Sequence, residues 1–210
     1  MADAIVWAAG EDVPGTPHND NPADVINLSL GGKSRQCMPI YQNAIDRALS
    51  RGATIAVAAG NEDLPTDNAQ PASCDGVITV GATGPEGHRA AYSNYGRHVD
   101  LGAPGGNMRP VFGNPTPAAG ILSTVNRGLR TPEASGYSYM EGTSMATPVV
   151  SGVIALMKAA DPTISSDEIE RILRDTARRY TTEPGPGQGK RLRTGWGQGL
   201  STPTLRCVLH

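Results

Sequence analysis

The sequence has no basic field of the kind that draws nucleic acid. Its 210 residues carry 18 Lys and Arg against 20 Asp and Glu, a formal net charge of −2, whereas nucleic-acid surfaces need clustered positive charge. No apolar run reaches the roughly 18 residues of a membrane span, and no charged-then-apolar leader opens the chain. The 26 glycines and 17 prolines follow no triplet period, which excludes a collagen-like rod. Cysteine is scarce, with three residues, an odd number. Cys37 and Cys74 lie in Ser/Gly/Pro-rich loops, as a disulfide pair in a secreted protein would, and Cys207 is left over. Three free thiols are the alternative. What remains is a chain long enough for one domain with a sizeable core.

Along that domain helices alternate with strands. In "ADAIVWAAG", Ile5, Ala8 and Ala9 have helical spacing, and Gly10 stops the helix. "VINLSL" is a short apolar run halted by Gly31 and Gly32, the pattern of a buried strand. "YQNAIDRALSRG" sets Tyr41, Ile45 and Leu49 four apart and closes on Gly52, an amphipathic helix. "ATIAVAAG" and "GVITVGA" read as two more buried strands, and strand–helix–strand at this spacing is a βαβ unit with a parallel sheet. "VDLGAPG" and "GILSTV" read as shorter strands. A long helix follows from Ser144 to about Ala159. After it, "SSDEIERILRDTA" has a serine cap before acidic residues and Ile169, Ile172 and Leu173 on one face. The expected fold class is α/β.

Ligands of open α/β sheets gather at the carboxyl ends of the strands. "LGGKS", after the first strand, ends like a phosphate loop, but that motif needs glycine where Asn27 stands. After the second strand come Ala58, Ala59, Gly60 and Asn61. An asparagine amide there can donate to a developing oxyanion, as a carboxylate cannot; alone, it reads more readily as a turn asparagine. Ser144 sits between a small turn and a long apolar helix, where a serine is either a nucleophile or an N-cap.

Four stretches decide between these readings. "VINLSLGG", "GATIAVAAGNED", "YSNYGRHVDLGAPGG" and "GTSMATPVVSGVIAL" occur in this order at plausible intervals. Together, from about Ala4 to Ala177, they resemble the subtilisin-like serine peptidases. The resemblance implies a doubly wound, mostly parallel sheet, with Ser144 as nucleophile and its backbone N–H and Asn61 as the oxyanion hole. It makes Ser29, Leu30 and Gly31 the strand that pairs with an extended peptide substrate, and Ala58, Ala59 and Gly60 the pocket lining. It also implies a secreted hydrolase and, by resemblance alone, calcium. The residues themselves give no cofactor or metal site, since Asp63, Asp67 and Asp75 lack a ligand spacing.

The departures are as specific as the matches. The family's aspartate and histidine motifs lie earlier in its chains, and neither occurs in this sequence. His18, His88, His98 and His210 match no family base and read as loop residues. Val149 stands where many members carry a non-catalytic histidine. Residues 1–200 are therefore expected to form a partial peptidase domain whose sheet lacks its amino-terminal strands. Residues 201–210, "STPTLRCVLH", form an atypical tail that a one-base frameshift near residue 200 explains, which makes Cys207 accidental. Two functions follow: a subtilisin-type serine hydrolase with weak residual turnover, or a non-catalytic peptide-binding module using Ser29 to Gly31. With its neighbours missing, Val25 to Leu30 becomes an apolar sheet edge through which the chain would self-associate. No membrane and no nucleic-acid partner is expected.

Overall fold

The computed structural model describes residues 1–85, 87–109 and 115–177. In chain order the elements are α1 (Ala2–Ala8), β1 (Val25–Leu28), β2 (Gly32–Lys33), α2 (Pro39–Ser50), β3 (Thr54–Ala58), β4 (Ala69–Gln70), β5 (Ile78–Thr83), β6 (Leu101–Pro104), β7 (Ile121–Asn126), β8 (Ser135–Met140), α3 (Thr143–Ala160) and α4 (Ser166–Thr176). Strands β1, β3, β5 and β6 form one parallel sheet in the order β1-β3-β5-β6. The small β2 and β4 pair antiparallel beside it.

Helices cover both faces of the sheet, which is why its central strands read as continuous apolar runs. Every residue of β3 and β5 is buried. The two-residue period splits them between two cores. On one face, Ile55 and Val57 join Ile26 and Leu28 against Ile5 and Val6 of α1 and Ala44, Ile45 and Ala48 of α2. On the other, Ala56, Ile78, Val80 and Ala82 meet Ala146, Val150 and Ile154 of α3 and Ile169 and Leu173 of α4. Small residues let α3 lie close to the sheet. A β-carbon on Gly105 would fall 2.5 Å from Ala82 Cβ and 2.7 Å from the Gly142 carbonyl.

Where sequence and structure differ, the reasons are local. Pro39 opens α2 two residues before Tyr41, because proline suits a first helical turn whose N–H would be unpaired anyway. The "GILSTV" strand, β7, stays outside the parallel sheet and pairs antiparallel with β8, a strand the apolar pattern did not reveal. Both strands are largely exposed, so neither shows the alternation that burial imposes. The absence of a span-length apolar stretch also needs correcting. The 18 residues of α3 are apolar enough, at a mean hydropathy of 1.3, to cross a membrane by length and composition. Ser144, Thr147, Ser151 and Lys158 break the run to the eye without lowering its average below that level. Here Ala146, Val150 and Ile154 of α3 are buried on the sheet, while Pro148, Val149, Gly152, Ala155 and Leu156 face outward. Cys37 and Cys74 are joined by a disulfide with Cα atoms 4.9 Å apart. The tail at 201–210, Cys207 and His210 lie outside the described residues.

Two features of the sheet carry testable consequences. Asp100, just before β6, accepts the Thr79 N–H at 2.7 Å and lies 3.7 Å from the Arg174 guanidinium of α4. Burial pushes its carboxyl up to about 7, against the pull of the Thr79 N–H. Well below its ordinary value the group is protonated whether folded or not. Between that value and about 7 only the folded chain holds the proton, so stability falls as pH rises through this window and stays lower above it. Asp100→Asn is expected to stabilise the protein at pH 8, by on the order of 1–3 kcal/mol, and to leave it unchanged near pH 4. Thermal melts at both pH values check this, and an equal shift at each would refute it.

Strand β1 pairs with β3 on one side only among the described residues, so its outer backbone groups form an open edge. The exposed side chain on that strand is Asn27. Self-association through the edge is expected, and Asn27→Lys should shift the protein towards monomer in light scattering. A stable 21.9 kDa monomer that the lysine leaves unchanged would contradict it.

Candidate active site

Strand β8 runs through Glu141 and Gly142 into α3. Gly142 caps the helix at φ 154 and ψ 158, a backbone region open to glycine, and this turn delivers Ser144 into the first helical turn. The Ser144 N–H has no partner within the helix, like every amide of a first turn. Its hydroxyl donates to the Ser29 carbonyl at 3.1 Å, and the Ser29 hydroxyl donates back to the Ser144 carbonyl at 2.9 Å. Pro148 explains the second bond. Proline has no N–H for the carbonyl four residues earlier, so the Ser144 carbonyl is left free inside the helix and Ser29 takes it.

Asn61 follows β3 and faces the same turn. Its side-chain oxygen accepts the Thr143 N–H at 2.8 Å and the Thr143 hydroxyl at 3.0 Å. Because the backbone N–H can only donate, this pair fixes which end of the amide is oxygen and turns the NH₂ group away from Thr143. Thr143, fully buried, also accepts the Gly60 N–H at 3.2 Å. The result is a notch over Gly142. A β-carbon at that glycine would lie 3.7 Å from Asn61 Nδ2 and 3.6 Å from the Ser144 nitrogen. An oxygen placed there would lie near both nitrogens, with the Met145 sulfur also 3.6 Å from the same point.

The cleft beside the notch is walled by Leu30 and Gly31 after β1, by Ala58, Ala59, Gly60 and Asn61 at the end of β3, and by Asn68, Ala69 and Gln70 around β4. Thr143 and Ser144 close it. Seven of the eight residues singled out for catalysis and substrate binding therefore line one cleft; the eighth, Ser29, touches it through its two bonds to Ser144. Gly31 has to be glycine, since a β-carbon there would come within 2.8 Å of the Gln70 carbonyl. Sequence reasoning missed Asn94. This buried side chain donates to the Ala59 carbonyl at 2.8 Å and to Glu62 at 2.9 Å, and accepts the Glu62 and Leu64 N–H groups, both at 3.0 Å. It holds the turn that presents Asn61. Its signal was its place inside "YSNYG", a stretch matched as a whole and not residue by residue.

Among the described residues, His18 bonds Asp12 at 2.7 Å and His98 faces Asp67 at 3.5 Å, and the backbone carbonyl of His88 accepts the Gly84 N–H in a turn. The Ser144 proton is held by a backbone carbonyl, which is too weakly basic to take it. Among the described residues no three of His, Cys, Asp and Glu gather as a metal site, so the calcium that the resemblance implied finds no side-chain cluster there.

Comparison with known proteins matches this arrangement to a family. The model of the subtilase family fits residues 1–197. The chain is 46% identical over 179 residues to an extracellular protease of Xanthomonas campestris pv. campestris, covering 85% of this chain and 28% of that protein. It is 41% identical over 193 residues to an extracellular basic protease of Dichelobacter nodosus, covering 90% and 30%. Among solved structures, a protease from Pseudoalteromonas arctica superposes with a TM-score of 0.83 at 43% identity, covering 97% of this chain and 55% of that one. A cold-adapted subtilisin-like serine proteinase superposes at 0.70 and 25% identity, covering 100% and 61%. The chain thus spans about three-tenths of the length of these two curated relatives. With the matching model, the two extracellular proteases and the shared fold, the chain belongs to the subtilase family of serine peptidases.

Proposed function

We propose that the cleft is the acyl-transfer half of a serine endopeptidase site, acting on peptide or ester bonds of extended polypeptides. The observation that carries this reading is the two-donor notch of Asn61 Nδ2 and the Ser144 N–H above Gly142. A substrate strand laid along Ser29 to Gly31 brings its carbonyl carbon to Ser144. The Ser144 oxygen bonds to that carbon, and the carbonyl electron pair moves onto oxygen, where the two N–H groups stabilise it. Collapse returns the pair and breaks the bond to the leaving nitrogen or oxygen, which takes a proton from solvent and departs as the amine or alcohol. Water then repeats the addition on the acyl-serine and releases the acid.

Each addition also needs a base for the attacking proton. Ser29 cannot be that base, so this 210-residue form turns over slowly through solvent. A notch and cleft without the remaining machinery leave roughly 10³–10⁴-fold catalysis over water, a range taken from subtilisin itself. Activated esters need little acid assistance to their leaving group and are the better substrates here. The extracellular names of the relatives support secretion as part of the same proposal. A second reading, a non-catalytic peptide-binding module, draws on the Ser144 hydroxyl being held by Ser29.

Removing the donor separates the two readings. The oxyanion exists only along the reaction path, so Asn61→Ala should lower kcat on a chromogenic ester by about 10²–10³ with little change in KM, if the subtilisin range transfers. An equal loss of peptide affinity would favour the binding module. Covalent labelling tests the nucleophile: a fluorophosphonate should label the parent slowly and Ser144→Ala not at all. Rapid labelling that depends on His88 or His98 would show that a base is present after all.

A further inference from the structure

The aim of the Asn61 amide depends on the turn that carries it, and a buried cation reaches that turn from the sheet. Arg89 forms an isolated antiparallel bridge with Thr83 of β5, and its side chain is only 3% exposed. A guanidinium is always charged, and a buried charge is costly unless something meets it. Three groups meet this one. Its terminal nitrogens donate to the Ser93 carbonyl and lie 3.0 Å from Asp63 Oδ1. Its central carbon sits 5.0 Å from the centre of the Tyr95 ring, within cation–π range.

Asp63 follows Asn61 by two residues and holds an unusual backbone. At φ 52 it is, among the described residues, the one non-glycine in the left-handed region. Such a conformation persists where its surroundings fix it. Two contacts do so here. The Asp63 N–H donates to the Tyr92 carbonyl at 2.9 Å, and the carboxylate faces Arg89. The second contact is one of charge, because neither Asp63 Oδ1 nor Arg89 Nε has a hydrogen-bond partner among the described residues. On its other side Arg89 grips the stretch from Tyr92 to Tyr95, which carries Asn94. That stretch is tied to the sheet, since the Ser93 hydroxyl accepts the Ala82 N–H of β5 at 3.0 Å. Between Asp63 and Asn61 stands Glu62, whose carboxylate accepts the Asn61 N–H at 3.0 Å. Arg89 thus clamps both strands of chain whose bonds hold the turn, and a shift at Asp63 reaches Asn61 through one residue.

We propose that Arg89 is a positioning residue for acyl transfer: by holding Asp63 through charge, it fixes the direction in which the Asn61 amide points. This inference rests on the peptidase reading of the cleft. Arg89 is not one of the cleft's walls, so it acts on substrate only through the turn. A bound peptide is indifferent to the aim of that amide. The oxyanion is not, because its stabilisation needs donors already in place. Releasing the turn should therefore show in kcat and not in KM.

Asp63→Asn is the clean variant. Asparagine enters the left-handed region as aspartate does, and the Asp63 side chain is 34% exposed, so the shape stays and the charge goes. On a chromogenic ester it should lower kcat about 5–20-fold with KM little changed. Added to Asn61→Ala, it should lower kcat no further, within about twofold. A brace that only stabilises the fold would cost the same in both backgrounds. That result, or an unchanged kcat in the first, would overturn the proposal, as would a rise in KM alone. If Asp63→Asn fails to fold, Arg89→Met with Asp63→Asn removes both charges and leaves no buried ion unpaired. The same pair of results is expected of it, and the same outcomes would refute the proposal. If the parent shows no turnover, or Asn61→Ala alone leaves kcat unchanged, the cleft reading fails and takes the positioning role with it. If Asn61→Ala lowers kcat and the charge variants do not, only the role of Arg89 is wrong.

Discussion

The seating of α3 across the parallel sheet is the constraint on which the rest depends. Its buried stripe of Ala146, Val150 and Ile154 shares one core with Ala56 of β3, Ile78, Val80 and Ala82 of β5, Leu101 and Ala103 of β6, and the partly buried Val25 of β1. The close approach is possible because Gly105, Ala82 and Ala146 present no bulk at the crossing. That contact sets the height of the helix, and the height sets where its first turn meets the ends of β1 and β3. A larger residue at any of the three would lift the amino end of the helix away from Ser29 and Asn61 before it disturbed the far end.

The site is then assembled from ordinary helix-end chemistry. The first amides of a helix need acceptors, and the Thr143 amide finds one in Asn61. Glycine at 142 lets the turn reach a conformation that leaves room above it. Proline at 148 frees a carbonyl that would otherwise be tied within the helix, and that carbonyl anchors the segment after β1 through Ser29. Each element serves folding and chemistry at once. A sheet end, a capped helix and one missing N–H suffice to place two donors and a hydroxyl around a single point.

Much of this was legible in the sequence for a definite reason. Buried strands and helices print their burial as apolar runs and periods, so β1, β3, β5, α2 and α4 could be read directly, as could the ligand-bearing strand ends. The ordered motifs placed Ser144, Asn61 and the lining residues in one cleft. Asn94 escaped because a buried polar side chain that braces a turn looks like any loop asparagine until its four partners are known. β7 was read as a strand, but β8 and its pairing with β7 escaped because exposure erases periodicity. The role of Pro148 escaped because it concerns a bond that is absent, and spacing rules record bonds that are made.

The reciprocal bonds between Ser29 and Ser144 join residues 115 apart in sequence. In effect they form a latch between the segment that follows β1 and the first turn of α3. On the proposed peptidase reading, the Ser29 carbonyl that accepts the Ser144 hydroxyl belongs to the backbone along which a peptide would be laid, so an arriving peptide and the resting hydroxyl would compete for one neighbourhood. Docking would then loosen the hydroxyl from its resting acceptor as a carbonyl carbon came within its reach. The surface that keeps the hydroxyl quiet would be the one whose occupation sets it free.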